Sequence, residues 1–295
     1  MGRSVTLAGE FGIAGLDRLC VQLTPLTSLT DPELVTIDLS ALEGMCASGL
    51  AVLVSALRTA RVDGLCDPLA ALTAPSACPG LTHEALRTLV EHAADGQPRG
   101  EHDILQGCEP FTGIGGIVSA REALLRWISN RVELDEQAQA TVRKLIWDFA
   151  QNVLAHAEIG GGVAAARVNS DERTLELAVA DRGIGIRESL ARSEVPDVSD
   201  DASALRAALQ PGVTSEPGSG KGMGLYLAKL VLRNNQGTLT VRSGDARLDE
   251  PSHIQLAPPL PSLKGTLVTA VARLDRPLDH EAVDRELARP QGIAT

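Results

Sequence analysis

The chain has 295 residues, of which 44% are hydrophobic and only 2% aromatic, so alanine, leucine and valine must fill its core. This length suffices for two modest domains or one large one. A net charge of −11 argues against a nucleic-acid partner, because non-specific binding requires clustered lysine and arginine. The sequence contains neither a run of 18 apolar residues nor a signal-peptide segment, which predicts a cytoplasmic protein that does not contact membranes.

The cysteines are scattered and odd in number. They are Cys20, Cys46, Cys66, Cys78 and Cys108, and none belongs to a CxxC pair. This spacing favours neither a zinc cluster nor a disulfide framework. We therefore expect free thiols in a reducing compartment.

The first third of the chain alternates between strand-like and helix-like patterns. A β-rich run over 34–39 is followed by small residues and by an apolar-periodic helix over about 50–61. The proline- and glycine-bearing segment 67–80 indicates irregular structure or a boundary. A short helix, "THEALRTLVEHAA", is predicted within residues 81–110.

The remainder of the chain has longer elements. Helices are predicted at 116–131, 135–157, 202–209 and 225–234, and strands at 162–170, 174–183, 238–243 and 265–273. The polar segment 187–220 is typical of a mobile lid. The pattern predicts an α+β fold, a sheet whose helices are grouped on one face.

One predicted helix, "LIWDFAQNVLAH", carries Asp148, Asn152 and His156. Four-residue spacing places the three side chains on one side of the helix, where burial without partners would be costly. The amide oxygen of Asn152 suits Mg²⁺, which takes few protein ligands beside substrate phosphates. Asp148 could orient or deprotonate a nucleophile at a γ-phosphate, and His156 could face a phosphate or cap the helix. The alternative is a solvated helix face.

The segment "DRGIGI", Asp181 to Ile186, follows a predicted strand directly. Gly183 and Gly185 could supply positive φ in an ordinary turn. Alternatively, they let a flat ligand approach the backbone while Asp181 accepts a hydrogen bond from an exocyclic amine. A lone glycine pattern of this kind leaves both readings open.

A second glycine-rich segment, "GSGKGMGL", opens directly onto a predicted helix. Its glycines at 220, 222 and 224 leave backbone N–H groups and the positive end of the helix dipole available to an anion, with Lys221 nearby in sequence. The GxxxxGK[ST] spacing of a Walker loop is absent. We expect a phosphate-binding segment rather than a flexible linker.

The order of these motifs resembles the Bergerat ATP-binding fold of the gyrase, Hsp90, histidine-kinase and MutL superfamily, over residues 113–275. "DFAQN" is similar to its N box, "DRGIG" to its G1 box, "GSGKGMGL" to its G2 box, and Gly265-Thr266 to its closing strand. The resemblance implies that Asn152 holds Mg²⁺, that Asp181 binds the adenine amine and that Thr266 assists it. The implied ATP-contacting residues are Asn152, His156, Asp181, Gly183, Gly185, Ile186, Gly220, Lys221, Gly222, Met223, Gly224, Leu225 and Thr266, with Asp148 as the catalytic residue.

Asp148 departs from that pattern, because the superfamily usually has glutamate there. A base that lies about 1 Å farther from its target loses part of its catalytic advantage, since geometry precedes pKa. Two functions therefore remain open. One is a kinase or ATPase that transfers the γ-phosphate to a protein hydroxyl or to water; the other is a nucleotide-dependent switch with little turnover.

Within the superfamily, the sequence is most similar to histidine kinases and to the serine kinases that act as anti-sigma factors, which implies bacterial signalling through a protein partner. "HEALRTL", starting at His83, resembles the histidine-kinase H box but lacks its following proline and lies close to Asn152. A histidine kinase using His83 is therefore a further alternative. The sequence leaves a homodimer open.

The N-terminal "TIDLSALEGMCASGLAVLVSALRTAR" resembles a STAS domain of the anti-sigma-antagonist type. Of that family's D-S-S-G loop, only Ser48 and Gly49 remain. An unrelated small α/β domain is the alternative. The predicted organisation is a STAS-like domain over 1–75, a linker with a short helix over 76–112, the ATP-binding domain over 113–275 and a tail over 276–295.

Overall fold

The computed structural model describes most of the chain. The described residues are 3–12, 15–27, 35–62, 72–73, 83–91, 107–193, 195, 198–215, 222–251 and 261–288. Within these ranges no helix combines the length and apolarity needed to cross a membrane.

The N-terminal unit, the described residues from 3 to 91, is built from short strands and three helices. Its elements are β1 (Arg3–Thr6), β2 (Gly9–Phe11), α1 (Leu16–Thr27), β3 (Val35–Asp38), β4 (Leu42–Met45), α2 (Ala47–Val62), β5 (Leu72–Thr73) and α3 (His83–Glu91). β3 lies between β1 and β5 in a parallel sheet, and β2 pairs in parallel with β4. The predicted strand over 34–39 and helix over 50–61 are confirmed as β3 and α2. Parallel strands require crossover connections, which here include helices.

A six-stranded antiparallel sheet forms the centre of the molecule. Its strands are β6 (Gly107–Thr112), β7 (Gly161–Asn169), β8 (Thr174–Ala180), β9 (Thr238–Gly244), β10 (Ala246–Glu250) and β11 (Leu263–Arg273), in the spatial order β10-β9-β11-β8-β7-β6. The sequence interpretation assigned 107–112 to the linker, but these residues pair with β7 as an edge strand. Gly107 and Pro110 obscure the strand pattern, and proline is tolerated at a sheet edge.

In the part of the chain that the structure describes, six helices accompany the sheet: α4 (Gly113–Ser129), α5 (Glu136–His156), α6 (Gly185–Ala191), α7 (Asp201–Ala208), α8 (Gly224–Asn235) and α9 (His280–Leu287). The predicted helices at 116–131, 135–157, 202–209 and 225–234 correspond to α4, α5, α7 and α8. α6 was not predicted, since it begins in the glycine-bearing segment Asp181–Ile186 and continues into the segment that was interpreted as a lid. One apolar core joins these helices to a single face of the sheet.

The opposite face of the sheet is also covered, which the sequence interpretation did not foresee. Along β8, Leu175, Leu177 and Val179 belong to the core beneath the helices, whereas Ala178 and Ala180 belong to the core shared with the N-terminal unit. Successive side chains of a strand point to opposite faces, so both faces of β8 are buried. The α+β fold is confirmed, and the N-terminal unit packs on the face opposite to the one that the helices cover.

Candidate functional site

Helix α5 supplies the polar stripe seen in the sequence. Its first turn is capped by the Asp135 carboxylate, which accepts a hydrogen bond of 2.7 Å from the Ala138 N–H. Val142, Ile146, Phe149 and Val153 are buried against the sheet. The stripe of Asp148, Asn152 and His156 lies off this buried face, so helical geometry explains why an otherwise core-forming helix carries polar groups.

Asp148 sits between two elements. Its carboxylate accepts a hydrogen bond of 2.9 Å from Lys144 Nζ, one turn earlier, and its side chain is only 11% exposed. A Cβ built on Gly224, the first residue of α8, would lie 3.3 Å from Asp148 Cβ. Burial raises the pKa of Asp148, and Lys144 offsets this only in part. The carboxylate therefore lies where the N-terminus of α8 begins, with the pKa shifted in the direction that suits a general base.

The side chain of Asn152 is half-buried and forms no hydrogen bond to another side chain or backbone group among the described residues. Its amide oxygen thus retains its full capacity to accept or to ligate. This is the condition that a Mg²⁺ ligand must meet.

His156 is hydrogen-bonded to the segment 187–220, which the sequence predicted to be a lid. Its Nδ1 and the Ser215 hydroxyl share a hydrogen bond of 2.6 Å, and Ser215 in turn shares one of 2.8 Å with Ser189 of α6. The Ser193 hydroxyl donates to the Ser215 carbonyl at 2.8 Å. Sequence reasoning missed these serines, because only the fold brings residues 189–193 and 215 next to the end of α5.

Asp181 and Thr266 lie side by side at the ends of β8 and β11. The Asp181 N–H donates to the Thr266 carbonyl at 2.9 Å, and the Asp181 carboxylate accepts from the Gly183 N–H at 2.8 Å. Asp181 is 5% exposed. Burial raises the pKa of its carboxyl to about 6, although backbone hydrogen bonds from Gly183 and Thr266 and the charge of Arg182 act in the opposite direction. Such a buried, perturbed carboxyl is typical of a functional site.

The glycines after Asp181 are required by both packing and backbone conformation. A Cβ on Gly183 would lie 2.1 Å from the Ala157 carbonyl oxygen at the end of α5. Gly185 has a φ of +81°, and a Cβ there would lie 2.8 Å from the Ser243 hydroxyl. The turn that the sequence suggested is present, and it draws the end of β8 against α5.

Replacing Gly183 by alanine is expected to destabilise the fold by about 3 kcal/mol, because the added methyl group overlaps a backbone carbonyl that cannot move aside. Gly115→Ala in α4 is the matched control. A Cβ at Gly115 meets nothing within 4 Å, and alanine favours helices. Urea unfolding measures both variants, and equal midpoints would contradict the tight packing at Gly183.

The second glycine segment also packs closely where the structure describes it. Gly222 has a φ of +58°, and a Cβ there would lie 2.6 Å from the Gly212 carbonyl carbon. The Gly212 N–H donates to the Gly222 carbonyl at 3.0 Å. Gly224 opens α8, and no side chain caps this helix at Met223. The first N–H groups of α8 are therefore suited to bind an anion.

The other residues that the sequence implied for the site lie in different places. Leu225 is buried in the core beneath the helices, and Ile186 packs against that core. Gly220 and Lys221 lie outside the described residues. His83 begins α3, and its side chain also lies outside what the structure describes.

A cavity of about 490 Å³ lies beside the turn Gly183–Gly185, lined also by α6 and by residues 262–265 before and within β11. Its lining includes none of the side chains of Asp148, Asn152 and Asp181. Gly183 and Gly185, which are also implied for ATP, line this cavity, whereas Asp148, Asn152 and Asp181 lie between α5, the end of β8 and the start of α8. We therefore assign the candidate site to that region.

Comparison with known families supports this assignment. Residues 137–275 match the family described as histidine kinase-, DNA gyrase B-, and HSP90-like ATPase. This segment includes nearly all of α5, both glycine segments and β11, and the match supports an ATP-binding domain of the Bergerat type there. In a comparison with curated proteins, no match was found.

Proposed function

We propose that the protein is a Mg-ATP-binding signalling protein, a protein kinase or ATPase of the histidine-kinase or anti-sigma type that acts on a protein partner. The observation that carries this is the pairing of Asp181 with Thr266 at the ends of β8 and β11. The pair lies within the segment that matches the ATPase family. A buried carboxylate beside backbone N–H groups is suited to accept the amine of adenine.

The arrangement fits Mg-ATP at three points. Asp181 and Thr266 would hold the base, and the uncapped N-terminus of α8 would receive phosphate oxygens. Asn152, whose side chain has no hydrogen-bond partner among the described residues, would ligate Mg²⁺. Bound Mg²⁺ would neutralise phosphate charge at this position.

Asp148 supports a turnover function. Its carboxylate lies at the start of α8, and burial moves its pKa upward, so it can accept a proton from a hydroxyl or water held there. Lys144 fixes its orientation. The contact with Lys144 also supports the alternative, a switch with little turnover, because it holds the Asp148 carboxylate toward the preceding turn of α5 and away from the attacking group.

The partner is proposed to be a STAS-type or other signalling protein, and the N-terminal unit is proposed to be STAS-like. The parallel β strands and the helix α2, which carries Ser48 in its first turn, support the latter. A histidine kinase is less favoured, because Leu86, Leu89 and Val90 of α3 are already buried in the core of the N-terminal unit. A dimerising helical hairpin would need that apolar face. Incubation with γ-labelled ATP, with and without a STAS-type protein, separates transfer, hydrolysis and binding alone.

Wild-type protein is expected to bind ATP more tightly with Mg²⁺ than in EDTA, and Asn152→Ala should abolish that difference. The variant removes the amide from a site otherwise built of phosphate and water oxygens. Calorimetry in the two buffers measures the effect. Gln151→Ala, the exposed amide beside it, is the control and should behave like the wild type.

The outcomes of this titration are separable. Absence of ATP binding in the wild type would overturn the proposed function itself. Binding with an unchanged Mg²⁺ dependence in Asn152→Ala would show that α5 does not carry the metal ligand.

A further inference from the structure

A buried carboxylate from the central sheet caps a helix of the N-terminal unit. Glu176 in β8 is 7% exposed, and its carboxylate accepts hydrogen bonds from the Ala47 N–H at 3.2 Å and the Ser48 N–H at 3.0 Å. The Ser48 hydroxyl donates to Glu176 at 2.5 Å and shares a hydrogen bond of 2.8 Å with the Thr269 hydroxyl of β11. The negative charge therefore lies at the positive end of α2 and satisfies N–H groups that the helix itself leaves free.

A second charged contact joins α1 to the sheet. Arg242 in β9 is 1% exposed, forms an ion pair with Asp17 of α1, and donates to the Pro261 carbonyl at 2.6 Å. Burial raises the pKa of the Cys20 thiol in α1, and the charges of Arg242 and Arg182 oppose that shift. α1 thus lies within the field of two arginines, one of which adjoins Asp181 in sequence.

The sheet packs against α2 mainly through small apolar residues. Ala165, Ala178, Ala180 and Leu267 of the sheet share one core with α2. Alanine side chains allow the backbone of α2 to approach the sheet closely. A buried charge that loses its partner is costly, so the two charged contacts favour one orientation of the N-terminal unit on the sheet.

The strands that receive these contacts lead to the candidate nucleotide site. Glu176 and Asp181 lie on and just after β8, about 17 Å apart along the chain at 3.3 Å per residue. Thr269 and Thr266 lie on β11, about 10 Å apart along the chain. Arg182 follows Asp181 directly. The N-terminal unit therefore contacts the same two strands that lead to Asp181 and Thr266.

We propose that the N-terminal unit is a regulatory partner in cis, docked through Glu176–Ser48 and Arg242–Asp17, and that docking and nucleotide binding favour each other. The inference rests on the proposed ATP binding. Docking holds the ends of β8 and β11 in the arrangement that presents Asp181 and Thr266. By linkage, a nucleotide bound there stabilises docking by the same factor.

Three native thiols report docking without any substitution. Cys20, Cys46 and Cys108 are free, buried and located in the core shared by the N-terminal unit and the sheet. Burial, together with the neighbouring Glu176 charge, raises the pKa of Cys46 to about 12, so the thiol is unreactive while docked. Undocking would expose these thiols to alkylation.

The full-length chain is alkylated with iodoacetamide, with and without saturating Mg-ATP, and each thiol is quantified by peptide mass mapping. We expect Mg-ATP to slow alkylation of Cys20 and Cys46 at least about fivefold, the lower bound of typical coupling. Equal or faster alkylation, in protein that calorimetry shows to bind ATP, would overturn the coupling. Failure to bind ATP would instead overturn the proposed function.

ATP affinity is the second measurement, because a contact with a purely structural role would not change it. Glu176→Gln removes the charge at α2, and we expect it to weaken ATP binding at least about fivefold and to speed alkylation of Cys46. Glu172→Gln in the exposed turn before β8 is the control. Asp17→Asn, a milder change at the second contact, should shift both quantities in the same direction. Unchanged ATP affinity in folded Glu176→Gln or Asp17→Asn protein would refute the proposal.

Discussion

Replacing Asp148 by asparagine is expected to lower turnover of the γ-phosphate by about 10²–10⁴-fold, the contribution of a positioned proton acceptor. ATP affinity should change little, because Asp148 is assigned to the attacking group rather than to the nucleotide. Asparagine keeps the shape of the side chain but cannot take up the proton. Release or transfer of labelled γ-phosphate at saturating ATP measures the effect.

The variant Asp148→Glu distinguishes two hypotheses: that Asp148 is already an effective base, and that it is held too far from the attacking group. If Lys144 holds the Asp148 carboxylate back, Asp148→Glu should raise turnover above the wild type, since the longer chain extends the reach of the base. Asp171→Asn, in the exposed turn between β7 and β8, is the control and should not alter turnover. Identical rates for the wild type, Asp148→Asn and Asp148→Glu would exclude Asp148 from the mechanism and leave a nucleotide switch.

Asp181→Asn is expected to weaken ATP binding by about 1.5–3 kcal/mol, the range for a hydrogen bond to a charged group. GTP should bind poorly to the wild type, because its carbonyl would face the Asp181 carboxylate. Calorimetry with ATP and GTP tests both statements. Equal affinities of the wild type for the two nucleotides would contradict the assignment of Asp181 to the base.

The same substitution should stabilise the protein without nucleotide, with a defined pH dependence. The pKa of Asp181 is raised from 3.8 to about 6 in the folded state. As pH rises through this interval the unfolded state loses its proton first, so ionisation costs the folded state on the order of 3 kcal/mol above pH 6. Asparagine avoids this cost. Tm should therefore increase in Asp181→Asn at pH 8, and the increase should vanish near pH 4.

The sequence made the candidate site partly predictable, because its signals are local. The spacing of Asp148 and Asn152 places both on one side of any helix, and α5 is indeed helical there. Asp181 directly follows a strand in both the prediction and the structure. Lys144 was overlooked although its spacing from Asp148 was visible, since a lysine on a helix face is ordinarily solvated.

Contacts between distant segments could not be predicted in this way. The hydrogen bond between His156 and Ser215 depends on how the chain folds to bring Ser215 next to the end of α5. The membership of β6 in the sheet depends on pairing with β7, which overrides the weak strand signal of residues 107–112. Both features arise from long-range packing, for which a single sequence has no local pattern.

The covering of the sheet separates what the sequence determines from what only the tertiary structure decides. The apolar run Leu177–Ala180 and the small residues of β7 by themselves predicted strands, because strand formation follows local composition, but they did not lead to a prediction that both faces of the sheet are buried. Which element covers the second face was decided only by tertiary structure. There Glu176, a charge inside a buried strand, meets the N–H groups of Ala47 and Ser48, more than a hundred residues earlier in the chain. A buried carboxylate requires hydrogen-bond donors, but its own neighbours in sequence cannot identify them, because the N-terminus of α2 reaches it only when the whole chain is folded.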